Sequence, residues 1–306
     1  MAQIHHFEHG WITPAVSYTL SVLGSLLGLI CASRVRTAHS AGWRTWWLAL
    51  AAVAIGGTGI WSMHFVAMLG FSVSGMQIRY DVGVTALSAV LAIAAVGVGL
   101  FIVARGTKAV GVRFVVGGLF AGLGVAAMHF TGMFAMRLDG KIDYLTSRVV
   151  AAVIIAVVAA TVALWLAMTV RKPSAIAASA LVMGIAVNGM HFTGMSAMSV
   201  RPDAGAGIGI GADAPSGTSA GTLLIPIGLA VLFGVIGLVY ALMAAPTDED
   251  RAAAAYLASR LEQNGTVAAP AAPVFGQAPQ VPVQRANGQR LPSAGAAWTF
   301  RDRADQ

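Results

Sequence analysis

Long apolar stretches, separated by short polar turns, occupy most of the first 245 residues of the chain. Seven of these stretches are long enough to cross a bilayer as a helix, which takes roughly 20 residues. They are rich in Ala, Leu, Val and Gly and show no alternation of period two, which favours helices over the strands of an outer-membrane barrel. The predicted spans are 15–33, 46–70, 82–104, 112–136, 148–170, 175–198 and 222–245.

The composition supports the same interpretation, since only 10% of the residues are charged, whereas a soluble domain has about 25%. The chain is therefore predicted to be an all-α integral membrane protein. Residues 1–14 form a leader before the transmembrane domain, 15–245. The tail, 246–306, is rich in Ala, Pro, Gly and Gln, and we expect it to be largely disordered apart from a short helix at 248–263.

Basic residues are unevenly divided between the two sets of loops. The turns after the first, third and fifth spans hold eight basic residues and no acid, whereas the opposite loops hold five basic residues and most of the acids outside the tail. By the positive-inside rule the first set faces the cytoplasm, which puts the N-terminus outside and the C-terminus inside. The net charge of +7 follows mainly from this bias, so the expected partner is the lipid bilayer and not nucleic acid.

One short motif occurs three times along the chain. A Met precedes a His in each copy, and a second Met follows that His by four residues. The copies centre on His64, His129 and His191, which are 65 and 62 residues apart, and repetition at such a period indicates a repeated structural unit. The copies read GIWSMHFVAM, GVAAMHFTGMFAM and AVNGMHFTGMSAM.

Each repeat is one pair of spans that ends in the motif, over about 15–70, 82–136 and 148–198. Two crossings return the chain to its starting side, so all three repeats run in the same direction, as parallel repeats do. A seventh helix, 222–245, follows them. The three histidines are consequently predicted to lie at one depth, where they can converge on a common centre.

The motif places sulfur beside imidazole. A Met four residues after a His lies about 40° away on the helical wheel and about 6 Å along the axis, so both can reach one ion. Thioether sulfur favours Cu(I), imidazole accepts copper in either oxidation state, and the motifs offer no Cys, Asp or Glu for zinc. Copper is therefore the predicted metal. The candidate ligands are His64, His129 and His191, with Met68, Met133 and Met195 at +4, Met136 and Met198 at +7, and, pointing about 100° away, Met63, Met128 and Met190 at −1.

Small and polar residues on the motif helices predict close packing. Gly57, Gly122 and Gly184 each stand seven residues before the motif His, nearly two turns away and on the same face. Small residues on such a face let membrane helices approach closely. Asn188, in the sixth span, is predicted to form a hydrogen bond with another helix.

These sequences resemble the MHYT domain, a bacterial membrane sensor module named after a Met-His-Tyr-Thr motif. The resemblance covers roughly residues 10–245 and implies seven transmembrane helices in the inner membrane with outward-facing motifs. It also implies a copper site, suggested to sense a diatomic gas such as oxygen, carbon monoxide or nitric oxide. Phe65, Phe130 and Phe192 replace the Tyr of the family motif, and Val66 replaces its Thr in the first copy. The matching pieces are GIWSMHFVAMLGF, GLGVAAMHFTGMFAM and MGIAVNGMHFTGM.

The leading hypothesis is a membrane sensor that binds copper and responds to a gas or to redox state. Many members of the family carry a cytoplasmic domain that makes or degrades cyclic di-GMP. None is recognised in this sequence, so we expect a stand-alone member that signals through a separate cytoplasmic protein. The spans hold no nucleophile–base or carboxylate pair, so an enzyme is not expected. Two alternatives remain open, a protein for copper uptake, storage or delivery, and a haem protein with His and Met axial ligands.

Overall fold

The computed structural model describes residues 4–5, 10–38, 40–74, 76–105, 110–138, 140–202, 217–243, 253 and 256–261. The chain divides into two units, Met1–Ala245 and Pro246–Gln306. The described residues of the second unit are helical and fall within 248–263, the stretch for which the sequence predicts a helix.

Seven helical segments of the first unit are long and apolar enough to cross a membrane, as the sequence predicts. The chain is a multi-pass, all-α membrane protein. The second span is composite, because a π-helix lies between two α-helices and the three run on without a break. The helices are α1 (Ile12–Val35), α2 (Ala41–Ala52), the π-helix (Val53–Ser62), α3 (Met63–Met68), α4 (Val82–Ala104), α5 (Val110–Phe134), α6 (Thr146–Thr169), α7 (Pro173–Met195) and α8 (Ala220–Met243).

Side chains satisfy backbone groups at several helix ends. Ser40 accepts a hydrogen bond from the backbone N–H of Trp43 and begins α2, and Asp81 accepts one from Val84 and begins α4. At the C-terminal end of α6, the guanidinium of Arg36 donates to backbone carbonyls at distances of 2.9–3.1 Å. These contacts pair polar groups that a helix leaves unsatisfied at its ends.

The six spans of the three repeats form a closed ring. Going round it, α1 packs against the π-helix, the π-helix against α4, α4 against α5, α5 against α6, α6 against α7, and α7 against α1. The second helix of each repeat thus contacts the first helix of the next. Helix α8 packs beside the ring, against the π-helix and α1. The end of the ring that holds the three motifs is called the motif end below. The other end, which holds the basic turns after the first, third and fifth spans, is called the basic end.

The π-helix carries one extra residue, which corrects the prediction for Gly57. Gly122 and Gly184, seven residues before their histidines, pack closely against the first helix of the following repeat. In the first repeat that place is taken by Gly56, eight residues before His64, which packs against the backbone of α4. In a π-helix each N–H bonds the carbonyl five residues earlier, whereas in an α-helix it bonds the carbonyl four residues earlier. The residues before the π-helix are therefore displaced by one position relative to His64.

Short antiparallel ribbons close each repeat at the motif end. The strand before the first helix of a repeat pairs with the strand after its motif, so Tyr80 lies opposite Met136 and Tyr144 lies opposite Met198. Strands this short show no sequence period, and the sequence analysis did not predict them. The pairs are β1 (Ile4–His5) with β2 (Ser72–Val73), β3 (Arg79–Tyr80) with β4 (Met136–Arg137), and β5 (Gly140–Tyr144) with β6 (Met198–Pro202), and β7 (Thr218–Ser219) adds to β3.

Candidate metal centre

The three motif histidines meet at the axis of the ring. Nδ1 of His64 lies 3.0 Å from Nδ1 of His191 and 3.1 Å from Nδ1 of His129. One potential ligand atom from each ring lies within 4.8 Å of the other two. The side chains are 0–1% exposed. The three rings, called the triad below, are brought together from three repeats.

The rings stand edge to face like the blades of a propeller. Their centroids are 4.9–5.2 Å apart, and their planes cross at 74–88°. Imidazole nitrogen binds zinc at about 2.0–2.1 Å, and three nitrogens at that distance from one ion would be roughly 3.3–3.5 Å apart. The two Nδ1–Nδ1 spacings in the triad are a few tenths of an ångström shorter. A small outward movement of the rings would therefore accommodate a metal ion.

Glycines behind the rings hold them in this orientation. A methyl group at Gly132 would collide with Nε2 of His64, and one at Gly194 would collide with Nε2 of His129. These two rings are thus each backed by the glycine three positions after the His of the next repeat. Within the described part of the chain, Nε2 of His64 and of His129 have no hydrogen-bond partner. The arrangement presents Nδ1, and not Nε2, to the common centre.

Sulfur-bearing side chains pack in a layer on the motif-end side of the triad. Each candidate Met at +4 and +7 is buried there, together with Phe71, which takes the +7 place in the first motif. This motif-end cluster consists of Phe65, Met68, Phe71, Val73, Tyr80, Met133, Met136, Met195, Met198, Val200, Leu223 and Ile227.

The methionines at −1 lie elsewhere. Met128 and Met190 belong to the larger hydrophobic core, which includes residues of every span, and Met63 is buried as well. The structure therefore separates the two sets of candidate thioethers, with the +4 and +7 positions in one layer and two of the three −1 positions in another.

The phenylalanine that follows each motif histidine packs against the triad. The rings of Phe65, Phe130 and Phe192 each meet the ring of the preceding His, with centroids 5.0–5.1 Å apart and planes at 77–88°. Two of them also contact a tyrosine of the next ribbon, Phe65 with Tyr80 and Phe130 with Tyr144. Burial raises the pKa of both tyrosines, so their phenols stay protonated and uncharged beside this apolar layer.

Ion pairs stabilise the ribbons at the rim of the site. Arg137 donates to Asp81 at 3.1 Å, and Arg201 donates to Asp143 at 2.5 Å. The pKa of Asp81 is below its ordinary value, chiefly because the carboxylate accepts a hydrogen bond from the backbone N–H of Val84 and then because of Arg137. Both acids are engaged at the rim, and neither belongs to the group of potential metal ligands.

Asn188 joins two helices below the triad, as the sequence predicts. Its Oδ1 accepts a hydrogen bond from Ser17 at 3.2 Å, and its Nδ2 donates to Ser21 at 2.9 Å, both across the contact between α7 and α1. Nδ2 also donates to the carbonyl of Gly184. The amide fixes the position of α7 only three residues before His191.

Comparison with known families agrees with this architecture. The family model for MHYT, described as a bacterial signalling protein N-terminal repeat, matches residues 57–115, 122–180 and 184–257. Each match contains one motif, and together they cover more than half of the chain. The chain belongs to the MHYT family. Each match in this MHYT protein begins shortly before a motif histidine and runs into the next helix, so the family repeat is offset by about one helix from the two-helix repeats described above.

Several signalling proteins are similar to this MHYT chain. The bifunctional diguanylate cyclase/cyclic di-GMP phosphodiesterase MucR of Pseudomonas aeruginosa is 37% identical over 195 residues, which are 62% of this chain and 28% of that protein. The cyclic di-GMP phosphodiesterase NbdA of the same organism is 36% identical over 167 residues, 52% of this chain and 21% of that one.

A third relative comes from a different bacterium. The signaling protein YkoW of Bacillus subtilis is 32% identical over 156 residues, which are 48% of this chain and 19% of that protein. The chain thus spans less than a third of the length of each of these relatives. No solved structure matches it.

Proposed function

We propose that this MHYT protein is the membrane-embedded sensor part of a signalling system, and that the triad binds copper. The observation that carries the proposal is the convergence of three Nδ1 atoms, one from each repeat, at a buried point on the ring axis. An ion there would be held by His64, His129 and His191. Met68, Met133 and Met195 supply thioether sulfur in the neighbouring layer, with Met136 and Met198 beyond them.

The chemistry of the donor set favours copper. Imidazole and thioether together suit copper, whereas calcium and magnesium need oxygen ligands. The only cluster of three or more His, Cys, Asp or Glu side chains with this spacing in the described chain is the triad itself, and it contains no carboxylate. Bound copper would supply a redox change and an open coordination position for a small ligand such as a diatomic gas.

The placement of the triad suggests how a signal would leave the site. Each His belongs to a different repeat, so a change in ligand distance moves three helices relative to one another. These three helices are the composite second span, α5 and α7. They run to the basic end, which the charge bias predicts to face the cytoplasm. Discrete shifts of packed helices are an established form of switching. A cytoplasmic signalling partner would read the shift, and the chain itself would carry out no catalysis.

The alternative of haem fits the geometry less well. A porphyrin bound to one His, with a Met on its other side, would need open space beside that imidazole ring. The facing Nδ1 atoms are 3.0 and 3.1 Å apart, and the rings contact one another directly. Copper transport is less favoured too, because the described part of the chain has a ligand cluster at the motif end alone.

Metal analysis of purified protein tests the proposal. The native protein, reconstituted with Cu(I) and desalted, should retain copper, and His64→Ala, His129→Ala and His191→Ala should each lose most of it. His39→Ala serves as the matched control, since the sequence places His39 in a polar turn away from the motifs. Retention of equal copper by the triad variants and the control would contradict the proposal.

A further inference from the structure

The two helices of each repeat meet through three positions that carry small residues. Strand register aligns the second repeat with the third, and the contacts between helices align the first repeat with the second. In the first repeat, a methyl group at Gly24 would collide with the backbone of Gly59, and in the second a methyl group at Gly124 would collide with Ala95. The three positions are Gly24, Gly28 and Gly59 in the first repeat, Ala95, Gly99 and Gly124 in the second, and Ala159, Ala163 and Ala186 in the third.

The third repeat has alanine where the others have mostly glycine, and its helices are held apart. Three methyl groups face the contact between α6 and α7, and the two helices pack along less of their length than α4 and α5 do. A cavity of about 410 Å³ opens between them, and Ala159, Ala163 and Ala186 all line it. A cavity of about 150 Å³ is already large enough for benzene or xenon.

The cavity connects the outer surface of the ring to its axis. Ile154, Val158 and Val182 line its mouth and are largely exposed on the bilayer-facing side of α6 and α7. Ile60, Val125 and Val187 line its inner end. Each of those three residues stands four positions before a triad His, so the inner end lies one helical turn, about 6 Å, below the triad.

The motif-end side of the triad is closed by packed side chains. The methionines and aromatic rings of the motif-end cluster cover that side, and the ribbons lie beyond them. The cavity is lined by apolar residues, and its mouth lies midway along α6 and α7, at the depth of lipid hydrocarbon. Ions and strongly polar solutes are excluded from such a path, because moving them into hydrocarbon is unfavourable.

We propose that this cavity is a binding site for a small, uncharged, apolar molecule dissolved in the bilayer, and that such a molecule reaches the triad from the membrane between α6 and α7. That the route ends at a metal site rests on the proposed function. The cavity and its binding of an apolar molecule do not, because the alanines of the third repeat and the apolar lining are present without a metal. A lipid acyl chain that fills the cavity permanently would be a competing occupant.

Xenon is the probe for the cavity, used on the metal-free full-length protein in lipid nanodiscs. Hyperpolarised ¹²⁹Xe NMR should show a bound signal above that of empty nanodiscs. Ala186→Phe fills the cavity and should lower this signal at least tenfold. Ile185→Phe is the matched control, because Ile185 is the adjacent residue, is 63% exposed and does not line the cavity. Its signal should equal that of the native protein.

A second variant closes the cavity without adding bulk. Replacing Ala159, Ala163 and Ala186 together by glycine reproduces the first repeat and should bring α6 and α7 together, with loss of the xenon signal. Absence of a bound signal in the native protein, as a resident acyl chain would produce, overturns the proposal. So does a signal that Ala186→Phe leaves unchanged in correctly folded protein.

The route to the triad is tested on the Cu(I)-loaded protein with carbon monoxide. Ala186→Phe should slow the association of carbon monoxide at least tenfold while the copper content stays the same, and Ile185→Phe should not. An unchanged rate would overturn the route even where xenon binds. If the native protein retains no copper, the proposed function fails, and the xenon experiment still decides whether the cavity binds apolar molecules.

Discussion

Gly132 lies directly behind the ring of His64, so close that a methyl group there would overlap Nε2. Gly194 stands in the same relation to His129. Each of these rings is therefore fixed from behind by the backbone of the next repeat, and its Nδ1 faces the centre. The glycines, which carry no donor atom, are part of what makes the three histidines a possible metal site.

Gly132→Ala should weaken copper binding. The added methyl group would push the His64 ring out of its place and spoil the convergence of the Nδ1 atoms. We expect a loss of roughly 10–100-fold in copper affinity, the range found when groups that orient metal ligands are changed. Competition with a Cu(I) chelator measures the affinity. Gly189→Ala is the control, because a methyl group there meets nothing within 4 Å. Equal affinities of the two folded variants would contradict the role of Gly132.

Deletion of Gly57 should be tolerated. The π-helix holds one residue more than the corresponding turns of α5 and α7, so its removal should produce a continuous α-helix with Gly56 seven residues before the His. Copper content should stay within about twofold of the native value, since the rest of the helix keeps its faces. Deletion of Leu123 is the control, because the loss of one residue from regular α5 turns the rest of the helix by about 100° and should abolish the site. Similar behaviour of the two deletions would show that the π-helix does not contain an insertion.

Asn188→Ala should destabilise the contact between α7 and α1. The substitution removes the hydrogen bonds between helices, to Ser17 and Ser21, whose hydroxyls then keep only their bonds to the carbonyls of Pro14 and Tyr18 in their own helix. We expect a loss of about 1–2 kcal/mol in the free energy of unfolding in detergent or lipid. Ser33→Ala is a suitable control, because that hydroxyl donates within its own helix, to the carbonyl of Ile30. An effect of Asn188→Ala no larger than the control's would show that the amide does not join the helices.

Asp81→Asn should remove a pH-dependent part of the stability. The pKa of Asp81 is lowered in the folded protein, first by the hydrogen bond from Val84 and then by Arg137. A lowered pKa stabilises the fold above the ordinary value of 3.8, and this contribution is lost as the pH falls through the folded-state pKa. The melting temperature of the native protein should exceed that of the variant at pH 7, and the difference should shrink below about pH 4. Arg137→Gln should have the smaller effect, and a difference that is constant with pH would contradict this account.

The spans and the convergence of the histidines could be predicted from the sequence. Apolar length gives the spans to within a few residues, and the equal direction of the repeats puts His64, His129 and His191 at one level. The sequence also contains a hint of Gly132 and Gly194, because the second and third motifs both read His-Phe-Thr-Gly. That signal carries no geometry, however, and the first motif has Ala67 at the same place.

Other features depend on three-dimensional packing that no period in the sequence reports. The π-helix changes the face that Gly56 and Gly57 occupy, although α-helical spacing selects Gly57. The ribbons are short, and their pairing depends on where the helices end. Which ring nitrogen faces the axis depends on contacts with the next repeat. That the histidines, methionines and copper form one working site stays a prediction.

X-ray absorption at the copper edge, measured on Cu(I)-loaded protein in lipid, tests the central claim most directly. The account predicts nearest neighbours of imidazole nitrogen at about 2.0 Å, from three histidines in the native protein and from two in His129→Ala. A sulfur contribution that Met133→Leu alters would show that the +4 methionines take part. Copper that is absent from the native protein, or a spectrum that His129→Ala leaves unchanged, would contradict the claim that three repeats build one metal centre.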